Sequence, residues 1–334
     1  MFPFKVLSVS CSTLHMLLAR SYRTTGRFCM MLAIILSVSQ PISGQETKNK
    51  KEKKLPAPKS WTVKTKDGVS LACIYLAGTD GENTIPVILL HGFDGVGGEF
   101  TRLALFLQNE GHAVVVPDLR GHGESIRQHG RDGNTHTIDA DKMRTNDFHG
   151  MYRYDLEAVK KKLLTEHNAG KLNIELLTLV GSEMGAIVAA NWAVLDWSWP
   201  VLPSLKQGQD VQAMVLVSPK SAFKGIKLQP AFQHEDIRKL STLIMTGADQ
   251  RRSLSEAKRI HTKLKRFHTT NTRGGKRSSP RSLFLASFPT SLQGTKLLDA
   301  QVRDRKLNPH EWIARFIEIR VASQREEFPW KKRE

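Results

Sequence analysis

From Trp61 onward, short apolar runs alternate with longer segments in which the apolar residues recur at helical spacing. The segment WTVKTKDGVSLACIYL alternates apolar and polar residues on both sides of Asp67-Gly68, a pattern that predicts a β-hairpin. The later runs are bounded by turn residues and predict buried strands. They are TIPVILLHG, HAVVVPDLRG, IELLTLVG, VQAMVLVSP, STLIMTGAD and RSLFLASFP.

The segments between these runs predict helices: EFTRLALFLQNEG, RYDLEAVKKKLLTEH, AIVAANWAVLDW, LSEAKRIHTKLKRF and HEWIARFIEIRVASQ. Buried strands that alternate with helices predict an α/β fold, in which helices cover both faces of a mostly parallel sheet. Ligands of such folds bind outside the carboxyl ends of the strands. We therefore expect any functional site in the loops that follow the strands.

The N-terminal segment has the pattern of an export signal. Residues 1–44 contain four basic residues and no acidic residue, and the apolar run CMMLAIILSV is followed by small residues near Gly44. The run is short for a membrane span, so the sequence predicts an exported protein, secreted or periplasmic after cleavage. The stretch before the run is long for a signal, which makes Met16 a second candidate start.

The rest of the chain divides by composition. Residues 45–60 are rich in Lys and predict a charged linker, residues 61–323 the folded domain, and residues 324–334 a basic C-terminal tail. Cleavage of the leader would leave Cys73 as the single cysteine. Its place in an alternating apolar run is typical of a packed thiol.

The formal net charge is +18, which favours anionic surfaces as partners. Positive charge is concentrated in KLKRFHTTNTRGGKRSSPR, where Arg273, Lys276 and Arg277 are candidate residues for binding an anionic polymer or a membrane surface. A solvated basic loop is the simpler interpretation. Few aromatic residues are interleaved with these charges, so the sequence disfavours sequence-specific nucleic-acid binding.

Four motifs follow predicted strands: LLHGF, PDLRGHGES, LVGSEMGA and LIMTGAD. Their order and spacing resemble those of the α/β-hydrolase superfamily, in particular its small exported esterase, lipase and peptidase-like members. The resemblance covers Trp61 to Ser323 and implies the α/β-hydrolase fold without a cofactor. Only a short connection follows Pro219, which leaves room for little or no cap domain.

The segment GSEMG, residues 181–185, stands where the superfamily carries its nucleophile elbow, G-x-S-x-G. The flanking glycines place Glu183 at the presented position, normally a serine. Ser182 is one position early, so its side chain is expected to point away. The resemblance implies an oxyanion site formed by the backbone N–H groups of Phe93 and Met184.

The loop of Phe93 also contains His91 and Gly92, which the resemblance implies as part of the same pocket. The acid and the base of a triad are not found at their expected positions. Gln250 stands at the acid position, with Asp249 one residue early, and the loop after the last strand contains Gln293 but no histidine.

His268 and His310 lie outside that loop and are interpreted as structural. The candidate catalytic residues are therefore Glu183 and Asp249. Glu183 acting as a nucleophile would form an ester that needs a base to clear it. Alternatively, its carboxylate folds back onto the N–H groups of Phe93 and Met184, where a helix N-terminus favours an anion.

A third hypothesis pairs Glu183 with Arg120 or His122.

The sequence favours a non-catalytic binder or scaffold with an esterase-like pocket for a small carbonyl-containing or hydrophobic ligand. The alternatives are a divergent hydrolase of small esters or amides and a surface protein that acts through its basic loop. Four histidines lie within or after PDLRGHGES: His122, His129, His136 and His149. They lack a metal-binding spacing and are interrupted by glycines, so no metal site is predicted.

Overall fold

The computed structural model describes residues 55–130, 132–200, 202, 206–268, 282–300 and 308–333. The expected export signal and most of the expected linker lie outside the described residues. So do Arg273, Lys276 and Arg277, and these predictions stay predictions.

A ten-stranded sheet runs through the described part of the chain. Its strands are β1 (Lys59–Lys64), β2 (Val69–Leu76), β3 (Pro86–Leu90), β4 (Ala113–Pro117), β5 (Arg127–His129), β6 (Thr135–Thr137), β7 (Leu177–Ser182), β8 (Val211–Val217), β11 (Ser241–Gly247) and β12 (Leu283–Phe288). A small separate hairpin consists of β9 (Ala222–Phe223) and β10 (Ile226–Lys227).

The strand order across the sheet is β12-β11-β8-β7-β3-β4-β2-β5-β6, with β1 paired to β2. The six strands from β12 to β4 pair in parallel, and β2 joins them antiparallel. The prediction of a mostly parallel sheet is confirmed. The hairpin around Asp67-Gly68 is present as β1 and β2, in register from Lys64 and Ser70 outward.

Helices cover both faces of this sheet. They are α1 (Thr101–Asn109), α2 (Thr145–Gly150), α3 (Leu156–Asn168), α4 (Met184–Trp197), α5 (Arg251–Lys265), α6 (Thr295–Leu298) and α7 (Pro309–Arg320). A π-helical turn, Met151–Asp155, joins α2 to α3. None of the helices in the described ranges combines the length and apolar character that a membrane span requires.

Two apolar cores result, one on each face of the sheet. The first core includes residues of α3, α4 and α5, and the second includes residues of α1, α6 and α7. Helix α4 is apolar on nearly all sides, with Trp192 fully buried, because it packs directly against the central strands. Cys73 is buried on β2, and burial raises the pKa of its thiol to about 12, as expected for a packed cysteine.

The described part of the basic C-terminal tail packs against the domain. Trp330 Nε1 donates a hydrogen bond to the carbonyl oxygen of His167 (3.0 Å), and His167 Nε2 donates to that of Lys331 (2.8 Å). The guanidinium of Arg333 is buried against Asp210. A buried carboxylate thus makes this arginine of the basic C-terminal tail part of the fold.

Candidate functional site

The elbow lies between β7 and α4, at the carboxyl edge of the sheet. Glu183 separates Ser182, the last residue of β7, from Met184, the first of α4, and has φ 49° and ψ −104°. Few residues other than glycine adopt this conformation, which costs about 1–3 kcal/mol and persists where the surroundings enforce it. Here the N–H of Glu183 donates to the carbonyl oxygen of Val217 at 2.9 Å. The turn therefore has the shape that presents a nucleophile in hydrolases.

The side chain of Ser182 is not presented at the elbow. Its side chain is fully buried, and its hydroxyl has no hydrogen-bond partner among the described residues. A Cβ atom on Gly294 would lie 3.3 Å from that hydroxyl oxygen, which shows how closely the neighbouring loop covers it. A ligand at the elbow would meet Glu183 and not Ser182.

The carboxylate of Glu183 forms an ion pair with a lysine of the loop after β8. Glu183 Oε1 lies 3.2 Å from Lys220 Nζ, and the side chains are 28% and 39% exposed, respectively. Within the described residues, the expected hydrogen bonds from the N–H groups of Phe93 and Met184 are not formed. Lys220 takes their place because its long side chain brings a full positive charge to the elbow.

The hypothesis that Arg120 pairs with Glu183 is wrong. Arg120 is buried and forms ion pairs with Asp155 (2.5 Å) and Asp67 (2.7 Å). The ring of His122 accordingly stays near its own loop, with Nδ1 3.0 Å from the carbonyl oxygen of Arg120. These residues stabilise the loop that follows β4, and the ion-pair partner of Glu183 is Lys220.

His91 is a buried structural residue beside the elbow. Its Nε2 accepts a hydrogen bond from the N–H of Leu119 (2.9 Å), so the proton resides on Nδ1, which donates to the carbonyl oxygen of Gly92 (2.7 Å). Burial lowers the pKa of His91 to about 4, which keeps the ring neutral at neutral pH. A Cβ on Gly92 would lie 2.9 Å from Glu183 Oε2, so this loop forms one wall of the site.

Gln293 lies in the loop between β12 and α6, where the base was sought. Its Oε1 accepts from the hydroxyl of Ser218 (2.8 Å), and its Nε2 donates to the carbonyl oxygen of Gly247 (3.0 Å). The hydroxyl of Ser218 also accepts from the N–H of Gly294 (2.9 Å). These bonds fix the amide, and an amide does not accept a proton as a histidine does.

Asp249 follows β11 and is exposed. Its backbone N–H donates to the carbonyl oxygen of Thr290 at 3.2 Å, and its carboxylate forms no ion pair within the described ranges. Asp249 is therefore not linked to Gln293 as an acid is linked to the base of a triad.

An aromatic cluster lies beside the elbow. The ring of Phe93 is 5.0 Å from that of Phe223 and 6.0 Å from that of Phe148. Lys224 Nζ lies 3.8 Å from the centroid of Phe93, and Lys220 Nζ lies 5.5 Å from that of Phe223. The two ammonium groups thus face aromatic rings as cation–π partners.

The β9–β10 hairpin brings these groups together. Lys224 and Gly225 form its two-residue turn, with φ values of 37° and 94°. The roles of Lys220, Lys224 and Phe223 were not predicted, because the segment KSAFKGIKLQPAFQHED has the pattern of a short connection. The Lys-Gly pair between Phe223 and Ile226 was a local turn signal that could have identified this hairpin.

We expect the ammonium of Lys224 to contribute to stability. Lys224→Gln keeps most of the aliphatic stem and removes the charge, so the free energy of unfolding should fall by about 0.5–1 kcal/mol, the value of an exposed cation–π contact. Urea unfolding of the full chain measures this change. Lys227→Gln is the matched control, since Lys227 lies exposed on the same hairpin. Equal effects of the two substitutions would argue against the cation–π contact.

No group of three or more His, Cys, Asp or Glu side chains in the described residues is arranged to hold a metal ion. Among the histidines that follow β4, His136 Nε2 lies 3.5 Å from a carboxylate oxygen of the exposed Asp132, and His129 Nδ1 lies 2.9 Å from the hydroxyl of Thr135.

Comparisons with known proteins agree with this geometry. A family model of the alpha/beta hydrolase fold matches residues 85–240. An esterase from Pyrococcus furiosus superposes with a TM-score of 0.52 at 16% identity, covering 79% of this chain and 91% of that one. An esterase from Rhizomucor miehei gives 0.54 at 12% (81% and 86%), and one from Pyrobaculum calidifontis 0.53 at 13% (80% and 87%). No curated protein matches the chain. At these identities the likeness to solved structures concerns the fold.

Proposed function

We propose that this chain, whose residues 85–240 match a family model of the alpha/beta hydrolase fold, is a member of the α/β-hydrolase superfamily that binds a ligand at its elbow without turning it over. One observation carries the proposal: the presented residue is Glu183, held in an ion pair with Lys220. A hydrolase of this fold needs an activated nucleophile and a base that shuttles its proton. Here the presented group is a carboxylate neutralised by an ammonium, and the base position carries the amide of Gln293.

The walls of the site favour a small ligand with a carbonyl oxygen and an apolar body. The side chain of Lys220 is 39% exposed, and its ammonium can donate a hydrogen bond to such an oxygen. The half-buried rings of Phe93 and Phe223 offer an apolar surface on the same side. If residues 1–44 direct export, as their pattern predicts, the protein meets this ligand outside the cytoplasm.

A divergent hydrolase of small esters or amides is the second candidate. It is favoured by the strained backbone of Glu183, because strain is often kept at catalytic positions. In that case the carboxylate would attack the substrate or activate a water molecule, and Lys220 would stabilise the developing negative charge.

The two candidates predict different results with ester substrates. We expect the purified full chain to hydrolyse none of the p-nitrophenyl esters of acetate, butyrate and octanoate, and to resist labelling by a serine-reactive fluorophosphonate. Glu183→Ser alone should label poorly, since a serine without a base is a weak nucleophile. Adding Gln293→His should raise the labelling rate by roughly a hundredfold, within the range that a general base contributes.

Ser182→Ala in the wild-type background is the control, because Ser182 is buried and should not react. Ester hydrolysis by the wild type that is lost in Glu183→Gln would reverse the proposal and establish a carboxylate-dependent hydrolase. Hydrolysis that persists in Glu183→Gln but disappears in Ser182→Ala would contradict both candidates.

A further inference from the structure

A cavity of about 560 Å³ lies on the α7 side of the sheet, at the edge formed by β11 and β12. It is lined by apolar side chains from both strands and from α7: Leu243, Phe284, Trp312, Phe316 and Ile319. Leu243 and Phe316 belong to the core on the α1 and α7 face, whereas α4, which follows Glu183, packs in the core of the other face. The cavity is therefore a site separate from the elbow.

The apolar walls are those of a small-molecule site. Leu243 and Phe316 are buried, and the rings of Phe284 and Phe316 meet edge to face at a centroid distance of 5.8 Å. Ile319, which is 46% exposed, lies where the cavity opens to solvent. The volume falls within the roughly 300–1,000 Å³ typical of ligand pockets, and walls of this kind favour an acyl or alkyl chain.

Two arginines add positive charge to the lining of the cavity. Arg315 and Arg320 line the cavity, together with the exposed Glu311. Arg320 is half-buried, and its Nε donates to the hydroxyl of Ser241 at 3.1 Å. Within the described residues, neither arginine lies within ion-pair distance of a carboxylate.

A half-buried guanidinium without a counter-charge is unfavourable, and a bound anion would relieve it. Burial lowers the pKa of Arg320 below its ordinary value, with no carboxylate to offset the effect. His268, whose Nδ1 lies 2.8 Å from the hydroxyl of Ser282, adds no charge at neutral pH, because burial, the neighbouring His261 and Arg320 itself lower its pKa. The uncompensated guanidinium of Arg320 therefore favours a negatively charged group in this cavity.

We propose that the cavity binds a single-chain amphiphile with an anionic head, a long-chain carboxylate. The chain lies along Phe284, Trp312 and Phe316, and the carboxylate accepts hydrogen bonds from the guanidinium of Arg320, whose planar fork matches two carboxylate oxygens. Arg315 adds a second positive charge. The site does not depend on the elbow and needs no catalytic step.

Isothermal titration calorimetry of the full chain with laurate, below its micelle concentration, tests the proposal. We expect one saturable site for laurate and at least about tenfold weaker binding in Arg320→Gln, as the loss of a charge-assisted hydrogen bond predicts. Dodecanol and dodecyltrimethylammonium have the same alkyl chain length but lack the anionic head. Their affinity for the wild type should be no higher than the affinity of laurate for Arg320→Gln.

Two further variants separate the cavity from general surface charge. Ile319→Trp places a large ring at the opening and should abolish laurate binding. Arg252→Gln should bind laurate like the wild type, because Arg252 is exposed at the start of α5, on the opposite face of the sheet. Urea unfolding of each variant checks that it is folded.

Three outcomes would overturn the proposal. The first is the absence of saturable laurate binding, which is the result expected if side chains of the protein fill the cavity. The second is equal weakening by Arg320→Gln and Arg252→Gln, which would indicate general attraction to a basic surface. The third is equal affinity for laurate and dodecyltrimethylammonium, since an unspecific apolar surface would not distinguish the two heads.

Discussion

Replacing Arg333 with Ala is expected to lower the free energy of unfolding by about 3–5 kcal/mol, the loss that follows when one partner of a buried ion pair is removed. The side chain of Arg333 is 5% exposed, and its guanidinium donates to both carboxylate oxygens of the fully buried Asp210. It also lies 3.2 Å from Glu175 Oε1. The alanine variant would leave both carboxylates without this partner.

The remaining charges cannot replace the guanidinium. Lys160 Nζ lies 2.7 Å from Asp210, but it also lies 2.5 Å from Asp196, which is equally buried. Lys206 Nζ lies 3.8 Å from Asp210, but it is closer to Glu175, at 2.8 Å. Two ammonium groups would then serve three carboxylates, those of Asp196, Asp210 and Glu175. Burial alone would raise the pKa of Asp210, and the hydrogen bonds and charges of Arg333 and Lys160 instead hold it below its ordinary value. Removing Arg333 takes away the larger part of this compensation.

Urea unfolding of the full chain at neutral pH measures the effect. Lys332→Ala is the matched control: Lys332 is the exposed neighbour, and its loss should change the free energy of unfolding by no more than about 0.5 kcal/mol. Adding Asp210→Asn to the Arg333→Ala variant should recover part of the loss, because it removes the uncompensated charge. If Arg333→Ala behaves like Lys332→Ala, the C-terminal segment does not stabilise the domain.

The second large effect is expected for Gly185→Ala, at the start of α4. A Cβ atom at this position would lie 2.3 Å from the carbonyl oxygen of Leu90 and 2.6 Å from that of His91. Both are backbone atoms at the end of β3, so no side chain can rotate away. We expect the free energy of unfolding to fall by about 3 kcal/mol or more, at the upper end of overpacking effects.

Gly98→Ala is the matched control for this substitution. No atom lies within 4 Å of a Cβ built on Gly98, and its φ is one that other residues adopt. Its free energy of unfolding should stay within about 0.5 kcal/mol of the wild type or increase slightly. Thermal unfolding and soluble yield distinguish the two variants. A Gly185→Ala protein as stable as Gly98→Ala would mean that α4 and β3 are less closely packed than in this structure.

Much of the fold could be predicted because its signals are local. Asp67-Gly68 between alternating runs predicted the β1–β2 hairpin, and continuous apolar runs predicted the parallel strands. The spacing of Gly181 and Gly185 placed Glu183 at a strand-to-helix turn, because a side chain at either glycine would collide with neighbouring backbone. Patterns of a few residues suffice for such predictions.

The partners of charged side chains could not be predicted in the same way. Arg120 and Glu183 both follow central strands, which made a pair between them a reasonable hypothesis. In the structure Asp155 and Asp67 hold Arg120, and Lys220 meets Glu183. An ion pair forms wherever folding brings opposite charges together out of water, and the residues involved can be far apart in the chain.

Residue type and spacing were enough to establish the strand and helix pattern, the register of the elbow and the absence of a histidine from the loop of Gln293. Each of these follows from residue type and spacing alone. Three other features depend on how distant segments pack: Lys220 neutralises Glu183, the β9–β10 hairpin places Lys224 over Phe93, and Arg333 is buried. The reason is physical: periodicity and turn chemistry act over a few residues, whereas burial and charge pairing depend on which distant segments share the same low-dielectric space.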